Sequence, residues 1–88
     1  MYHVIERAYR GWKITIHCCR REFQEHKDYQ DSYRSTAIAE LESGEDPEQW
    51  IDPRVQMLDT GERIFPDHAQ CIDELYTEAC ELVDALKK

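Results

Sequence analysis

The sequence predicts an α+β fold, a three- or four-stranded antiparallel sheet with a long C-terminal helix packed on one of its faces. Two observations support this prediction. Residues 12–19 alternate between apolar and polar side chains, as a half-buried strand does, and residues 67–88 repeat apolar side chains every three or four positions, as an amphipathic helix does. We expect residues 1–88 to form a single small domain.

The first two strands are predicted to form a hairpin. Apolar side chains occupy every second position of the second segment, at Trp12, Ile14, Ile16 and Cys18. Because the intervening side chains are polar, one side of this strand should face the core and the other should face solvent. Residues 2–6 are rich in β-forming side chains, and Gly11 separates them from the second segment. We therefore expect the hairpin to turn within residues 8–11.

Residues 32–43 allow two interpretations. As a helix, they would align Tyr33, Ala37 and Leu41 at four-residue spacing, and Gly44 would end the helix. As a strand, they would place alternate side chains from Tyr33 to Leu41 on one face. We favour the strand, because a lone hairpin is marginally stable in water and a long helix needs a sheet of three or more strands to cover. A second helix over residues 32–43 remains the alternative.

Residues 44–54 are predicted to be a loop, because Pro47 and Pro53 interrupt any regular element. Trp50 and Ile51 within the loop either fold back into the core or form an exposed contact. We favour the core, since a small domain needs its aromatic side chains for packing. Residues 55–58 and 63–65 then form either a short hairpin or one strand and a turn.

The C-terminal helix is predicted to begin at Asp67, whose carboxylate can cap the first turn, with Gln70 at capping-box spacing. Lys87 and Lys88 follow its last turn, where the helix dipole favours positive charge. Strands followed by a terminal helix that is entered from a Gly–Phe turn resemble, in element order, the small β-β-β-α antitoxin domains of HicB-type systems. That resemblance extends to element order alone and implies no site residue.

The charge is unevenly divided along the chain. Of the net −8, residues 1–34 hold seven Lys or Arg against five Asp or Glu, and residues 35–88 hold four against fourteen. The acidic part argues against general binding to nucleic acid or to anionic membranes and allows a basic protein partner. We therefore expect a non-enzymatic protein–protein interaction or regulatory module that also forms a homodimer. The candidate contact residues are Trp50, Glu74, Glu78 and Glu81.

Nucleic-acid binding is the first alternative. The N-terminal third interleaves cations with aromatic side chains, a composition typical of single-strand binding, and the cations could share the exposed face of the sheet. The candidate residues are Arg10, Lys13, Arg20 and Arg21. A weak net charge of +2 over residues 1–34 makes this function less favoured than binding to a protein.

A zinc site is the second alternative. The candidate ligands are His17, Cys19, His68 and Cys71. They lack the paired spacing of structural zinc sites, and the first two should lie on the face of the sheet away from the helix. We therefore expect no metal and no other cofactor. No nucleophile elbow or glycine-rich phosphate loop is present in the sequence, so we expect no catalytic residues.

The expected compartment is the cytoplasm. No segment resembles a secretory signal, and no apolar run approaches the roughly 20 residues that span a bilayer. In that compartment Cys18, Cys19, Cys71 and Cys80 should be reduced and should pack as small apolar side chains.

Overall fold

The computed structural model describes residues 2–20 and 32–88. The elements are β1 (Tyr2–Tyr9), β2 (Trp12–Arg20), β3 (Tyr33–Leu41), a 3₁₀ turn (Pro47–Gln49), β4 (Gln56–Asp59) and α1 (His68–Leu86). The strands form one antiparallel sheet in the order β1-β2-β3-β4, and α1 packs across β2 and β3. The predicted α+β fold is confirmed with four strands, and residues 33–41 are strand rather than helix.

A two-residue turn connects β1 to β2. Tyr9 pairs with Trp12, which leaves Arg10 and Gly11 as the turn, with φ angles of 50° and 85°. Positive φ at both central residues is the geometry of a type I′ turn, whose twist matches that of the flanking strands. The predicted hairpin and its position are confirmed.

The core lies between the sheet and α1. The central strands and the helix contribute most of its buried side chains, which are Trp12, Ile14, Ile16, Cys18, Ala37, Ala39, Cys71, Ile72, Leu75, Ala79 and Val83. The alternate residues of the strands, beginning with Lys13 on β2, point away from the helix. No other element among residues 2–20 and 32–88 packs on that side of the sheet, which we call the open face.

The loop after β3 folds back onto the core, as predicted for Trp50, which is 4% exposed. The amide of Ile51 donates to the carbonyl oxygen of Leu86 at 2.7 Å, and that of Lys88 donates to Gln49 at 3.1 Å. The loop therefore joins the C-terminal end of α1 by main-chain hydrogen bonds.

Between β4 and α1 the chain makes a turn, and Phe65 then forms an isolated bridge with Tyr33. Of the two alternatives for residues 55–65, the structure therefore has one strand and a turn, and not a short hairpin. Asp67 caps α1 as predicted, since its Oδ1 accepts from the amide of Ala69 at 3.0 Å. Among the described residues, no helix is both long enough and apolar enough to cross a membrane.

Candidate interaction surfaces

The exposed side of α1 is acidic. The helix contains five carboxylates and no lysine or arginine. Asp73, Glu74 and Glu81 are exposed, and within residues 2–20 and 32–88 no ion pair joins any of the three to a cation. Unpaired charges of one sign produce a field that attracts an oppositely charged partner and that salt weakens.

The carboxylates at the two flanks of the helix are neutralised. Arg63 donates to both carboxylate oxygens of Glu78, at 2.7 and 2.9 Å, and these hydrogen bonds lower the pKa of Glu78. Arg10 Nη1 donates to Asp84 Oδ1 at 2.7 Å, and the hydroxyl of Tyr9 lies 3.0 Å from each oxygen. The hydrogen bond from Arg10, followed by that from Tyr9, lowers the pKa of Asp84.

The four predicted contact residues therefore lie in different environments. Glu74 and Glu81 are exposed on α1, whereas Glu78 is held by Arg63. Trp50 is buried, so the interpretation of this side chain as an exposed contact is corrected. It lies in the core because Trp12 offers an apolar surface at the end of the sheet.

The open face of the sheet carries exposed apolar side chains near its two edges. Tyr2 and Val4 on β1 are 62% and 49% exposed, and Met57 on β4 is 67% exposed. Met57 lies opposite the partly exposed Ile38 in the register of β3 and β4. The uncovered side of an antiparallel sheet is normally polar, so these side chains distinguish the open face from an ordinary solvated surface.

The charges of the open face nearly balance. The strand registers place the charged side chains of this face at Glu6, Lys13, Arg34, Glu40 and Asp59. Two cations and three carboxylates give a net −1, against −8 for the whole chain. The open face is therefore far closer to neutral than the exposed side of α1.

One end of the open face forms a shallow depression of about 460 Å³. Within it the hydroxyl of Tyr2 is hydrogen-bonded to Nδ1 of His17, and Arg34 Nε donates to the sulfur of Cys19 at 3.3 Å. The hydrogen bond to Cys19 raises the pKa of Arg34. These polar pairs can exchange hydrogen bonds with a partner that covers this end of the sheet.

The nucleic-acid candidates do not share one face. Lys13 lies on the open face, whereas Arg10 is turned towards α1, where it binds Asp84. Arg20 pairs with Tyr33, whose ring contacts His68 on the helix side of the sheet. The prediction of a common face is therefore wrong for two of these cations.

Arg21, the fourth nucleic-acid candidate, lies outside the described residues. The strand period explains the separation of Lys13 from Arg20, since residues at odd and even positions of β2 point to opposite sides of the sheet.

The zinc candidates form two separate pairs. His17 and Cys19 lie on the open face, whereas Cys71 is buried on the helix side, 2.9 Å from the hydroxyl of Ser35. His68 stacks on His3 with ring centroids 4.3 Å apart. The predicted placement of the two pairs on opposite sides of the sheet is confirmed. In the described parts of the chain, no three His, Cys, Asp or Glu side chains are grouped as metal ligands.

Sequence reasoning missed the contacts that neutralise the flanks of α1. Asp84 meets Tyr9 and Arg10 across 75 and 74 residues of chain, and no local pattern marks such a pairing. Sequence reasoning also missed the apolar residues of the open face. The alternation within residues 2–6 already places Tyr2 and Val4 on the side of the strand opposite to Ile5.

No protein-family model matches the chain, and no curated protein or solved structure matches it. What the chain binds therefore has to be inferred from its exposed helix side and its open face.

Proposed function

We propose that this chain is a non-enzymatic protein–protein interaction module that binds a basic partner protein through the exposed side of α1. The observation that supports this function is the division of charge on the helix. The carboxylates at its flanks are paired with Arg10 and Arg63, while Asp73, Glu74 and Glu81 are exposed and form no ion pair among the described residues. The proposed compartment is the cytoplasm, because a reducing environment suits four cysteines that form no disulfide.

The expected contribution of these three carboxylates is moderate. An exposed charge pair is worth about 0.2–1 kcal/mol, so three pairs change affinity by roughly 3- to 140-fold. Complementary charge also accelerates association, because it steers the partner before contact is made. The interaction should therefore weaken steeply as salt rises.

The test is capture of host proteins on the immobilised chain, with three versions compared. The first is the wild type, and the second replaces Asp73 with Asn and Glu74 and Glu81 with Gln. The third is a control with the same change in net charge, placed in the exposed loop at Glu42→Gln, Glu45→Gln and Glu48→Gln.

We expect the wild type and the loop control to retain the same basic protein, to release it at about 0.5 M salt, and the helix variant to lose it. Equal retention by the helix variant would refute the proposed contact, as would equal loss by the loop control or binding that does not respond to salt.

Self-association is the second expected contact of so small a chain. Two exposed helix sides would repel each other, so a second copy requires a different surface.

A further inference from the structure

We propose that the open face binds the open face of a second copy of this chain, so that two sheets pack face to face with the acidic helices outside. The inference goes beyond the proposed helix contact and does not depend on it. It rests on the exposed apolar side chains of the open face, on its charge and on the symmetry of its charge pattern.

Covering this face would remove exposed apolar side chains from water. Tyr2, Val4 and Met57 are each about half or more exposed, at 62%, 49% and 67%. Between them, at the centre of the sheet, lie the side chains of Thr15 and Thr36, with Ile38 opposite Thr15 and His17 opposite Thr36, and none of the four carries a formal charge when His17 is neutral. Sheets that pack in this way lie about 10 Å apart with their strands nearly aligned.

The distribution of charge on the chain favours a second copy as the partner of this face. Two molecules of net charge −8 repel each other, and the repulsion is strongest where carboxylates lie unpaired, as on the exposed side of α1. On the open face Lys13 and Arg34 nearly offset Glu6, Glu40 and Asp59. Two acidic copies can therefore meet at this face with little repulsion.

The register makes the charge pattern self-complementary. Lys13 on β2 lies directly opposite Glu40 on β3, at the same level of the sheet. The proposed two-fold axis runs parallel to the strands, above the midline between β2 and β3. Rotation about this axis places β2 of each copy over β3 of the other. Lys13 of each copy then faces Glu40 of the second copy, and the pair forms twice.

The same operation lays no charge of this face on a like charge. Thr15 meets Ile38 of the second copy, whereas the carboxylates of Glu6 and Asp59 meet the apolar side chains of Met57 and Val4 of the second copy. The charge pattern of the open face is thus compatible with itself.

The size of the face sets the expected strength. β1, β2 and β3 are about 26–30 Å long and β4 is about 13 Å long, so at a spacing of about 4.8 Å the four strands cover roughly 480 Å² on each copy. That is smaller than the roughly 800 Å² per partner of a standard interface, so the dimer should form in the micromolar range of concentration.

The test begins with the mass of the wild-type chain in solution, measured by sedimentation equilibrium between about 5 and 500 µM, the range expected for a small interface. One chain has a mass of 10.5 kDa, so a dimer has a mass of about 21 kDa. We expect the wild type to approach the dimer mass, and Thr15→Arg at the centre of the face to remain at the single-chain mass.

A mixing experiment then tests the paired charges. Lys13→Glu gives a face with an additional carboxylate, and Glu40→Lys gives a face with an additional ammonium group. Each variant alone should be a monomer at concentrations where the wild type is a dimer, and an equimolar mixture should recover the dimer. Recovery of the dimer in the mixture also shows that both variants are folded. Loss of the dimer in one variant alone would not distinguish a broken contact from misfolding.

A wild-type chain that keeps the single-chain mass at 500 µM, the upper limit of the expected range, would overturn the proposal. So would a dimer that survives Thr15→Arg, since its interface would then lie elsewhere, for example at the outer edge of β1. The two proposals fail separately. A monomer that still captures the basic partner refutes only the dimer, and an intact dimer that captures nothing refutes only the helix contact.

Discussion

The indole of Trp50 meets that of Trp12 edge to face, with ring centroids 5.5 Å apart and planes at 87°. Trp12 begins β2, whereas Trp50 arrives from the loop after β3, and both side chains are buried. The ammonium group of Lys87 lies 4.9 Å from the centroid of the Trp50 ring. One side chain from the loop therefore joins the end of the sheet to the C-terminal end of α1.

Replacing Trp50 with alanine should lower the free energy of unfolding by about 3–5 kcal/mol, because the change removes a buried ring and leaves a cavity against Trp12. A domain of this size has a total stability of about 5–10 kcal/mol, so much of it should be lost. The urea midpoint of the fluorescence or circular dichroism transition measures the change.

The neighbouring Ile51 is the matched control, since it is 64% exposed in the same loop. Ile51→Ala should change stability by no more than about 0.5 kcal/mol. Equal effects of the two substitutions would show that the loop does not pack into the core.

The elements that the sequence predicts well are those with a local signal. Asp67 and the apolar period of residues 67–86 determine α1 without reference to the rest of the chain. The strand at residues 33–41 is different, because its local propensity favours a helix at residues 37–41. These residues form a strand because β2 and β4 both pair with them. The pairing is a tertiary effect, and the expectation that the helix needs a sheet of three or more strands predicted it.

The surfaces were predicted less well, because they depend on contacts between distant parts of the chain. The carboxylates of α1 look alike in sequence, and only the fold shows that Glu78 meets Arg63 and that Asp84 meets Arg10. Likewise, Arg10 and Lys13 are three residues apart but point to opposite sides of the sheet. The turn separates them, because its positive φ angles end the side-chain alternation of β1 at Tyr9.

Gly11 should resist substitution, because its φ of 85° lies in the region that side chains disfavour. We expect Gly11→Ala to lower stability by about 1–2 kcal/mol, as measured by urea denaturation. A Cβ atom at this position would also lie 2.7 Å from Cδ of Glu45, although that flexible side chain can move.

Gly44→Ala separates the two causes, because Gly44 has a φ of 96° and no atom within 4 Å of an added Cβ. Any excess cost at Gly11 over Gly44 measures the crowding by Glu45. A neutral Gly11→Ala would contradict the type I′ turn.

Thr60 holds the end of the sheet to β3 by two hydrogen bonds. Its hydroxyl accepts from the amide of Ser35 at 3.1 Å, and its own amide donates to the carbonyl oxygen of Ser35 at 3.1 Å. Both residues are buried, so Thr60→Val should leave the amide of Ser35 without a partner. The expected loss is about 1–3 kcal/mol in the free energy of unfolding.

Thr60→Ser is the control for that loss, because serine keeps the hydroxyl and removes only a methyl group. We expect it to destabilise less than Thr60→Val when both are measured by urea denaturation. The reverse order would indicate that packing of the methyl group, rather than the hydrogen bond, makes Thr60 important.

Asp84 should titrate below the ordinary aspartate pKa of 3.8, because Arg10 and then Tyr9 donate hydrogen bonds to its charged form. A lowered pKa in the folded state means that the contact stabilises the fold above the ordinary value. That stabilisation is lost as the pH falls through the folded-state pKa. The carboxyl chemical shift of Asp84, followed from pH 6 down to about 2 by NMR, measures this pKa directly.

Arg10→Gln should raise the pKa of Asp84 towards 3.8 without reaching it, because the hydroxyl of Tyr9 still donates to the carboxylate. It should also make the urea midpoint less dependent on pH below the ordinary aspartate value. Lys13→Gln removes the same charge from the open face, on the other side of the sheet, and should leave the titration of Asp84 unchanged. If both variants moved the pKa of Asp84 equally, net charge would explain the shift, and the contact between Arg10 and Asp84 would not.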